Sequence, residues 1–389
     1  MNYHIIPQDK FFENYIEDIY RIHQENNNVI WIRGEKGDSP YFHTDRPVEY
    51  LGNTAQEYIL RIHKIKPNDK LFVSWYDVFI GRIILQSNLK ALLYVYLMGG
   101  DFYAQPTWWH IKWLLDPITR RRIKKERLFR VFLPLRKPWR WYRLIRFKIN
   151  QYQQYYEKLE TIKRIDYIVL PEHAKEEIRV IHSLYPGCKA EHKIGTFDQN
   201  FDLSKDIPLK NIPSQRESIK ILLGNSSDPS GNQMDAIHYL LMREKEKYEV
   251  YCLLSYGDRE VYEWISDYGR SALGGRFHSI NKFMEREPYI RFMNEMDIVV
   301  MYHNRQQAAG AIMTALALGK PVFLKAKSPL FAQLSEIGIK AVYNVSLMHT
   351  INLRTAIFDA QKNRKDTIER LYIEYSNDVR LAHLRELLK

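Results

Sequence analysis

Arg305, Gln306 and Gln307 lie between an apolar run, Asp297 to Tyr302, and an uncharged stretch rich in Ala, Leu and Met, Ala308 to Leu318. A guanidinium can grip phosphate with two charge-assisted bonds, and the two amides can bond phosphate oxygens or sugar hydroxyls. His303, Asn304 and Gly310 complete the candidate loop. A second polar stretch, Gly224, Asn225, Ser226, Ser227, Asp228, Pro229, Ser230, Gly231 and Asn232, follows the apolar run Ser218 to Leu223. Its N–H groups and hydroxyls suit a phosphate or nucleotide. It has neither the GK[ST] of a P-loop nor GxGxxG, and a plain helix-capping loop fits it equally well. In a third stretch, Gly99, Gly100, Asp101, Phe102 and Tyr103, the aspartate is aimed from a strand end and is a candidate base for an attacking hydroxyl. A tight turn with an Asx bond is the alternative there.

The elements that must carry these loops alternate. Asp297 to Tyr302 reads as a buried parallel strand, Ala308 to Leu318 as a helix packed on most sides, and Pro321 to Leu324 as the next strand. Gly319 stops the helix and Pro321 prevents its restart. The loop at Arg305 is therefore expected at the carboxyl end of a strand and the N-terminus of a helix, where α/β folds bind ligands. Strands at Asn2 to Ile6, Asn28 to Ile32, Lys70 to Trp75 and Leu92 to Leu97, with helices between, predict the same design in the first half. Asp166 to Leu170 reads as a further strand. Glu285 and Glu287 read as first-turn carboxylates of a helix leading to Glu295. The predicted domains are 1–207, with a basic aromatic insert at about 104–150, a linker at 208–217, 218–365, and a closing helix at 366–389.

With 45% apolar and 27% charged residues, the 389-residue chain has the balance of a globular protein of about two domains. Its two cysteines, Cys188 and Cys252, exclude a disulfide scaffold and a cysteine-built metal site, and fit a reducing compartment. No apolar run has the length of a membrane span, and no signal peptide is visible. The net charge of +12 is concentrated: residues 112–148 hold fourteen basic side chains against Asp116 and Glu126. Trp108, Trp109, Trp113, Trp139 and Trp141 lie among or just before cations that include Arg120, Arg121, Arg122, Lys124, Lys125 and Arg140. Such a surface suits an anionic membrane, at about 1 kcal/mol per cation near the bilayer. Nucleic acid is the rival partner, but no RNA-binding motif accompanies the patch and none is expected to bind.

Three segments resemble a known family: GGDFY at Gly99 to Tyr103, LGNSSDPSGN at Leu223 to Asn232, and RQQAAG at Arg305 to Gly310. They are similar to the GADLY turn, GNSxDxSxN loop and RQQG loop of bacterial enzymes that transfer N-acetylfucosamine from its TDP-sugar to a lipid-linked disaccharide in enterobacterial common antigen synthesis. The resemblance implies a GT-B glycosyltransferase, α/β, with two Rossmann-like domains whose parallel sheets face a cleft. It also implies a TDP-sugar donor, a polyprenyl-diphosphate-linked saccharide acceptor, a peripheral place on the cytoplasmic face of the inner membrane, and a retained α-linkage. The chain departs from the pattern in two places. Val95 to Met98 replaces a Trp-His-Ile-Trp run, and Gln306 and Thr314 stand where broader retaining GT-B enzymes carry two glutamates.

Breaking the bond from an anomeric carbon to a nucleoside diphosphate leaves negative charge on phosphate, and stabilising that charge is the main requirement. Arg305, Gln306 and Gln307 are the candidates for the diphosphate, supported by Gly224, Asn225 and Ser226 and, along the same loop, Asp228, Ser230 and Asn232. No two aspartates are separated by one residue, so metal-independent transfer without a cofactor is expected. The alternative is a non-catalytic nucleotide- or nucleic-acid-binding protein that uses the basic insert.

Overall fold

The computed structural model describes residues 1–9, 12–22, 27–40, 42–52, 54–103, 107–132, 138–196, 217–242 and 247–389; the expected linker, apart from residue 217, lies outside them. The chain divides into two compact units. The first comprises Met1–His110, Tyr142–Asn200 and Asn377–Lys389, and the second Ile111–Trp141 and Phe201–Ser376. This differs from the linear division drawn on the sequence, because the middle of the insert belongs with the second unit and the last helix with the first.

The first unit is built on strands β1 (Asn2–Ile6), β2 (Asn28–Arg33), β3 (Glu49–Leu51), β4 (Lys70–Ser74), β5 (Leu92–Tyr96), β6 (Tyr167–Leu170) and β7 (Glu191–Ile194). They form a parallel sheet in the order β3-β2-β1-β4-β5-β6-β7. The order reverses between β1 and β4. Continuous burial of Leu71 to Val73 and Leu93 to Tyr96 is what a parallel strand covered on both faces requires.

The closing helix expected from Asp366 to Leu388 is two helices, Arg364–Tyr375 and Asn377–Leu388, separated at Ser376, whose ψ of 157° is extended. The second piece returns to the first unit because it has somewhere to bury its leucines. Leu381, Leu384, Leu387 and Leu388 are buried, and Arg380 pairs with the equally buried Asp18. Asn2 Nδ2 and Lys70 Nζ donate to the carbonyls of Leu388 and Leu387 at 2.9 and 2.8 Å, which satisfies part of the helix C-terminus.

The second unit holds β8 (Ile219–Leu223), β9 (Tyr248–Leu253), β10 (Phe277–Ile280), β11 (Ile298–Met301), β12 (Val322–Leu324) and β13 (Val342–Asn344). Its parallel sheet runs β10-β9-β8-β11-β12-β13, with the reversal between β8 and β11. Strand β10, just ahead of Glu285 and Glu287, was not among the strands expected from the sequence. Its His278 stacks on Tyr251 at 4.5 Å and faces Glu249 at 3.1 Å, so the polar residue is accommodated by its neighbour on β9.

After β11 the helix Ala309–Ala317 is buried from Ile312 onward. Gly319 has φ +73°, its N–H bonds to Leu316 O at 2.9 Å, and Lys320 N–H bonds to Ala315 O at 2.9 Å, the paired bonds of a Schellman stop. The helix Pro117–Phe132 belongs to this unit through its own N-terminus. Asp235 accepts from Ile118 N, Thr119 N and Thr119 Oγ1 at 2.8, 2.9 and 2.7 Å, so a carboxylate on a neighbouring helix supplies the missing cap.

Candidate functional site

In the second unit, the loops after β8 and β11 are neighbours because those strands are adjacent, and both leave the carboxyl end of the sheet where the strand order reverses. Polar side chains tie them together. Ser230 Oγ lies 3.0 Å from Gln307 Oε1, Arg305 Nε donates to Ser230 Oγ at 3.2 Å, and Gln307 Nε2 donates to Asn225 Oδ1 at 3.4 Å. Asn225 Nδ2 in turn donates to Tyr256 Oη at 2.6 Å. Asp228 accepts from Ser230 N at 2.7 Å and so shapes the turn. Arg305, Gln306 and Asn225 are half-buried, and Gly310 faces open space.

The helix that starts behind Arg305 has no side-chain cap. Its N-cap is Ala308 in the left-handed region, φ +59°, whereas Asp258 and Asn352 cap the helices Arg259–Leu273 and Leu353–Lys362 of the same unit. Its first-turn N–H groups, with the positive end of the helix dipole, remain the electrostatic attraction for an anion at this loop. Gly224 meets two demands at once. Its φ is +65°, and a Cβ there would come within 2.9 Å of the Gln233 amide, which donates to Ser226 O at 2.6 Å.

Two residues expected at the ligand are committed elsewhere. Asn232 and Asn304 are wholly buried. Asn232 Oδ1 accepts from Asp116 N at 2.8 Å, while Asn304 Nδ2 reaches Trp113 O at 3.0 Å and Leu114 O at 3.1 Å. Lys325 pairs with Asp116, and Lys327 donates to Trp113 O at 2.6 Å. These groups hold residues 113–116 against the second sheet. His303 is also buried, and burial lowers its imidazole to about 3, so it is neutral at pH 7. Beside Tyr256, at the ends of β9 and β10, a cavity of about 350 Å³ is lined by Ser227, Gly257, Arg259, Tyr262 and Asn281, within the range of small-ligand pockets.

At the carboxyl edge of the first sheet, Asp101 faces inward. It is 7% exposed, Oδ2 accepts from Tyr76 N at 3.1 Å, and burial raises its carboxyl, with Lys158 opposing. Lys158 is itself buried, donates to Tyr76 O, and sits over the rings of Tyr76 and Phe102 at 4.5 and 4.6 Å. Tyr103 is buried and donates to Glu177 Oε1 at 3.0 Å. Gly99 takes φ +93°, and Gly100 lies under an indole: a Cβ there would stand 3.0 Å from Trp75 Cη2. Trp75 has φ +62°, a strained conformation for a bulky residue that costs about 1–3 kcal/mol. The aspartate of this turn, expected from the sequence to face an attacking hydroxyl, is buried and fixes the backbone of Tyr76.

Of the described cations and tryptophans of the insert, Trp109, Lys112, Arg121, Lys124, Lys125, Arg146 and Lys148 are exposed. Trp113 lies under Lys327 at 5.0 Å; Arg122 pairs with Glu126 at 2.9 Å and covers Trp264 at 5.3 Å; Arg120 is half-buried. The side chains of Trp108, Trp139, Arg140 and Trp141 lie outside the described residues. No helix of the described residues is long and apolar enough to cross a membrane.

Residues 196–384 match the model of a family described as 4-alpha-L-fucosyltransferase, glycosyl transferase group 56. The chain is a GT-B hexosyltransferase. Among solved structures, the transferase is similar to a sucrose-phosphate synthase of Thermosynechococcus elongatus, with TM-score 0.60, 11% identity, and 99% and 97% of the two chains covered. A glycosyltransferase of Rickettsia africae gives 0.59 at 10% identity, covering 100% of this chain and 97% of the other. HepE of Anabaena, in complex with UDP and glucose, gives 0.54 at 11% identity, covering 100% and 99%. No curated protein matches the chain in sequence.

The matched region includes both polar loops of the second unit, and the first unit's Trp75 and Asp101 lie outside it. At the two positions where a glutamate pair was sought, Gln306 is half-buried and Thr314 Oγ1 donates back to Gly310 O at 2.8 Å, a local bond within the helix. Sequence reasoning missed Tyr256, Gln233 and Asp235. Tyr256 and Asp235 act through contacts with a loop or helix distant in the chain, whereas Gln233 closes the loop just before it by donating to Ser226 O; Tyr256, just past a strand end, carried a positional signal.

Proposed function

We propose that the second unit holds the nucleoside diphosphate of a sugar donor at the loops after β8 and β11. The observation that carries this reading is the Arg305–Ser230–Gln307–Asn225 network in front of an uncapped helix N-terminus. Arg305 supplies the fixed positive charge, and the amides of Gln306 and Gln307 bond phosphate or ribose oxygens once the network opens to the ligand. As the anomeric bond breaks, charge moves onto the leaving diphosphate, where Arg305 and the helix N–H groups stabilise it. The cavity beside Tyr256 takes the nucleoside. The donor is TDP-4-acetamido-4,6-dideoxyhexose, and the reaction proceeds with retention.

The acceptor in this reading is a polyprenyl-diphosphate-linked saccharide of surface polysaccharide synthesis. The exposed Trp109, Arg121, Lys124 and Lys125 support peripheral attachment to an anionic bilayer, where that acceptor resides. Asp101 then serves the reaction by positioning the edge of the first sheet. Titration with TDP, UDP and GDP, for the wild type and Arg305→Ala, tests the donor site. Preferential TDP binding weakened about tenfold to a hundredfold in the variant is expected, as loss of a charge-assisted bond worth about 1.5–3 kcal/mol requires. Absence of binding to all three nucleotides would sink the reading. UDP preference would retain the site and replace the sugar nucleotide.

A further inference from the structure

The first unit spends an unusual number of contacts on one exposed residue. Trp75 is 41% exposed, yet the backbone around it is fixed from several sides. Its carbonyl accepts from Asp77 N at 3.0 Å and from Arg33 Nη1 at 3.1 Å. The next peptide is clamped at both ends: Asp101 takes Tyr76 N–H, and Lys158 donates to Tyr76 O. Tyr76 is further anchored by its hydroxyl, which donates to Thr161 O at 2.8 Å. A buried carboxylate and ammonium are an expensive way to satisfy one peptide. What these contacts do accomplish is to hold a tryptophan in the left-handed region with its ring outside the core.

The ring has a defined seat. Gly100 lies against its edge, so a Cβ at that position would come within 3.0 Å of Cη2. Trp75 directly follows β4, where the strand order of the first sheet reverses, the place where open α/β sheets receive ligands. Beside it Arg33 and Asp77, paired at 2.6 Å, keep 19% and 32% of their side chains exposed, enough to offer a donor and an acceptor to hydroxyls. A fixed indole beside hydrogen-bonding groups matches a pyranose, whose C–H face packs on the electron-rich ring face while its hydroxyls bond at the rim.

We propose that Trp75 is the stacking platform for a pyranose ring of the saccharide acceptor, held in place by the buried Asp101–Lys158 clamp on Tyr76. The assignment of that sugar to the acceptor rests on the transfer reaction proposed above. The binding itself does not. Because glycine adopts a positive φ without strain, Trp75→Gly removes the ring and leaves the backbone free to keep its course.

The test labels the full chain with 5-fluorotryptophan and assigns the Trp75 signal as the one missing in Trp75→Gly. N-acetylglucosamine, cellobiose and N,N′-diacetylchitobiose are then titrated while the fluorine spectrum is followed. A saturable shift of the Trp75 signal with at least one of these sugars, and an affinity about tenfold weaker in Trp75→Gly by saccharide-observed NMR, are expected. A Trp75 signal that none of the three sugars moves overturns the proposal. So does sugar binding of equal strength in wild type and Trp75→Gly. Titrating the same sample with TDP reports separately on the donor site: a sugar response without TDP binding sinks the donor reading alone, and TDP binding without a sugar response sinks the platform alone.

Discussion

At the carboxyl end of the second sheet, Asn225, Ser230 and Gln307 are joined to one another and to Arg305 through amides and a hydroxyl, and Ser230 Oγ also donates to the Asp228 carboxylate at 2.5 Å. At the same end of the first sheet, Tyr76 is gripped between a buried carboxylate and a buried ammonium. The two sheets share a reversal of strand order, so the difference lies in what is asked of each edge. A network of amides and hydroxyls costs little to rearrange, and a ligand can replace its bonds one for one. A buried carboxylate and a buried ammonium at the two ends of one peptide have no such tolerance, because each lowers the cost of burying the other's charge. The second edge is built to exchange partners and the first to stay as it is.

Removing one member of the clamp is the strongest challenge to that contrast. Lys158→Met or Asp101→Asn alone is expected to destabilise the chain by about 3–5 kcal/mol, while the double variant regains most of the loss. Ser230→Ala in the second unit should cost only about 1 kcal/mol. Urea unfolding of the four variants decides it: if Lys158→Met proves no costlier than Ser230→Ala, the two edges are held alike.

Next in size is the attachment of the helix Pro117–Phe132, which brings the exposed cations of the insert to the second unit. Asp235→Ala deprives Ile118 and Thr119 of their acceptor, a loss of about 2 kcal/mol by comparison with other helix caps. Faster proteolysis within 117–132, with nucleotide binding at Arg305 retained, is the expected readout. Protection equal to wild type would mean that Lys325 and Asp116 hold the segment without it.

Acid offers a third comparison. Burial lowers His4 and His303 to about 3 and His110 to about 4. Each is neutral when folded and takes up a proton on unfolding below its ordinary value near 6.5. Stability is therefore full above that value and falls by about 1.4 kcal/mol per pH unit per group as the pH drops from 6.5 towards 4. Asp101 acts in the opposite sense. Burial raises it to about 6, so folding binds a proton between its unfolded value and 6, and acid favours the fold there. In the first unit Asp101 thus opposes the acid loss that His4 and His110 bring, while His303 brings the same loss to the second. Unfolding at pH 4 to 7 should show a steeper acid loss in Asp101→Asn than in the wild type; identical slopes would remove Asp101 from the balance.

The second edge was far more legible in the sequence than the first, for physical reasons. Polar runs between a buried strand and an uncharged helix can only be strand-end loops, and Gly319 with Pro321 fixed the helix stop that the Schellman bonds display. Asn232 and Asn304 belonged to the same runs. Nothing local reveals that their amides are consumed by residues 113–116, more than a hundred positions away. The same long reach assigned residues 111–141 to the second unit and the last helix to the first. Trp75 was read as the end of a strand because its pattern is that of a strand; its importance rests on a positive φ and a lysine in a distant helix, which composition does not carry.

The smallest expected effect concerns the two strained backbones themselves. Ala308, like Trp75, is left-handed, but its small side chain has no exposed ring to present, and it stands at the head of the uncapped helix behind Arg305. The left-handed conformation costs an ordinary residue about 1–2 kcal/mol, against which glycine gives back about 0.4–1 kcal/mol through the freer unfolded chain. Ala308→Gly should therefore stabilise by about 0.5 kcal/mol, and nucleotide affinity should hold because the loop keeps its course. Trp75→Gly relieves the same kind of strain in the first unit at the expense of its sugar contact. If Ala308→Gly instead weakens TDP binding, the rigidity of that turn is itself part of the anion site, and the second edge is less free to rearrange than its amides and hydroxyl suggest.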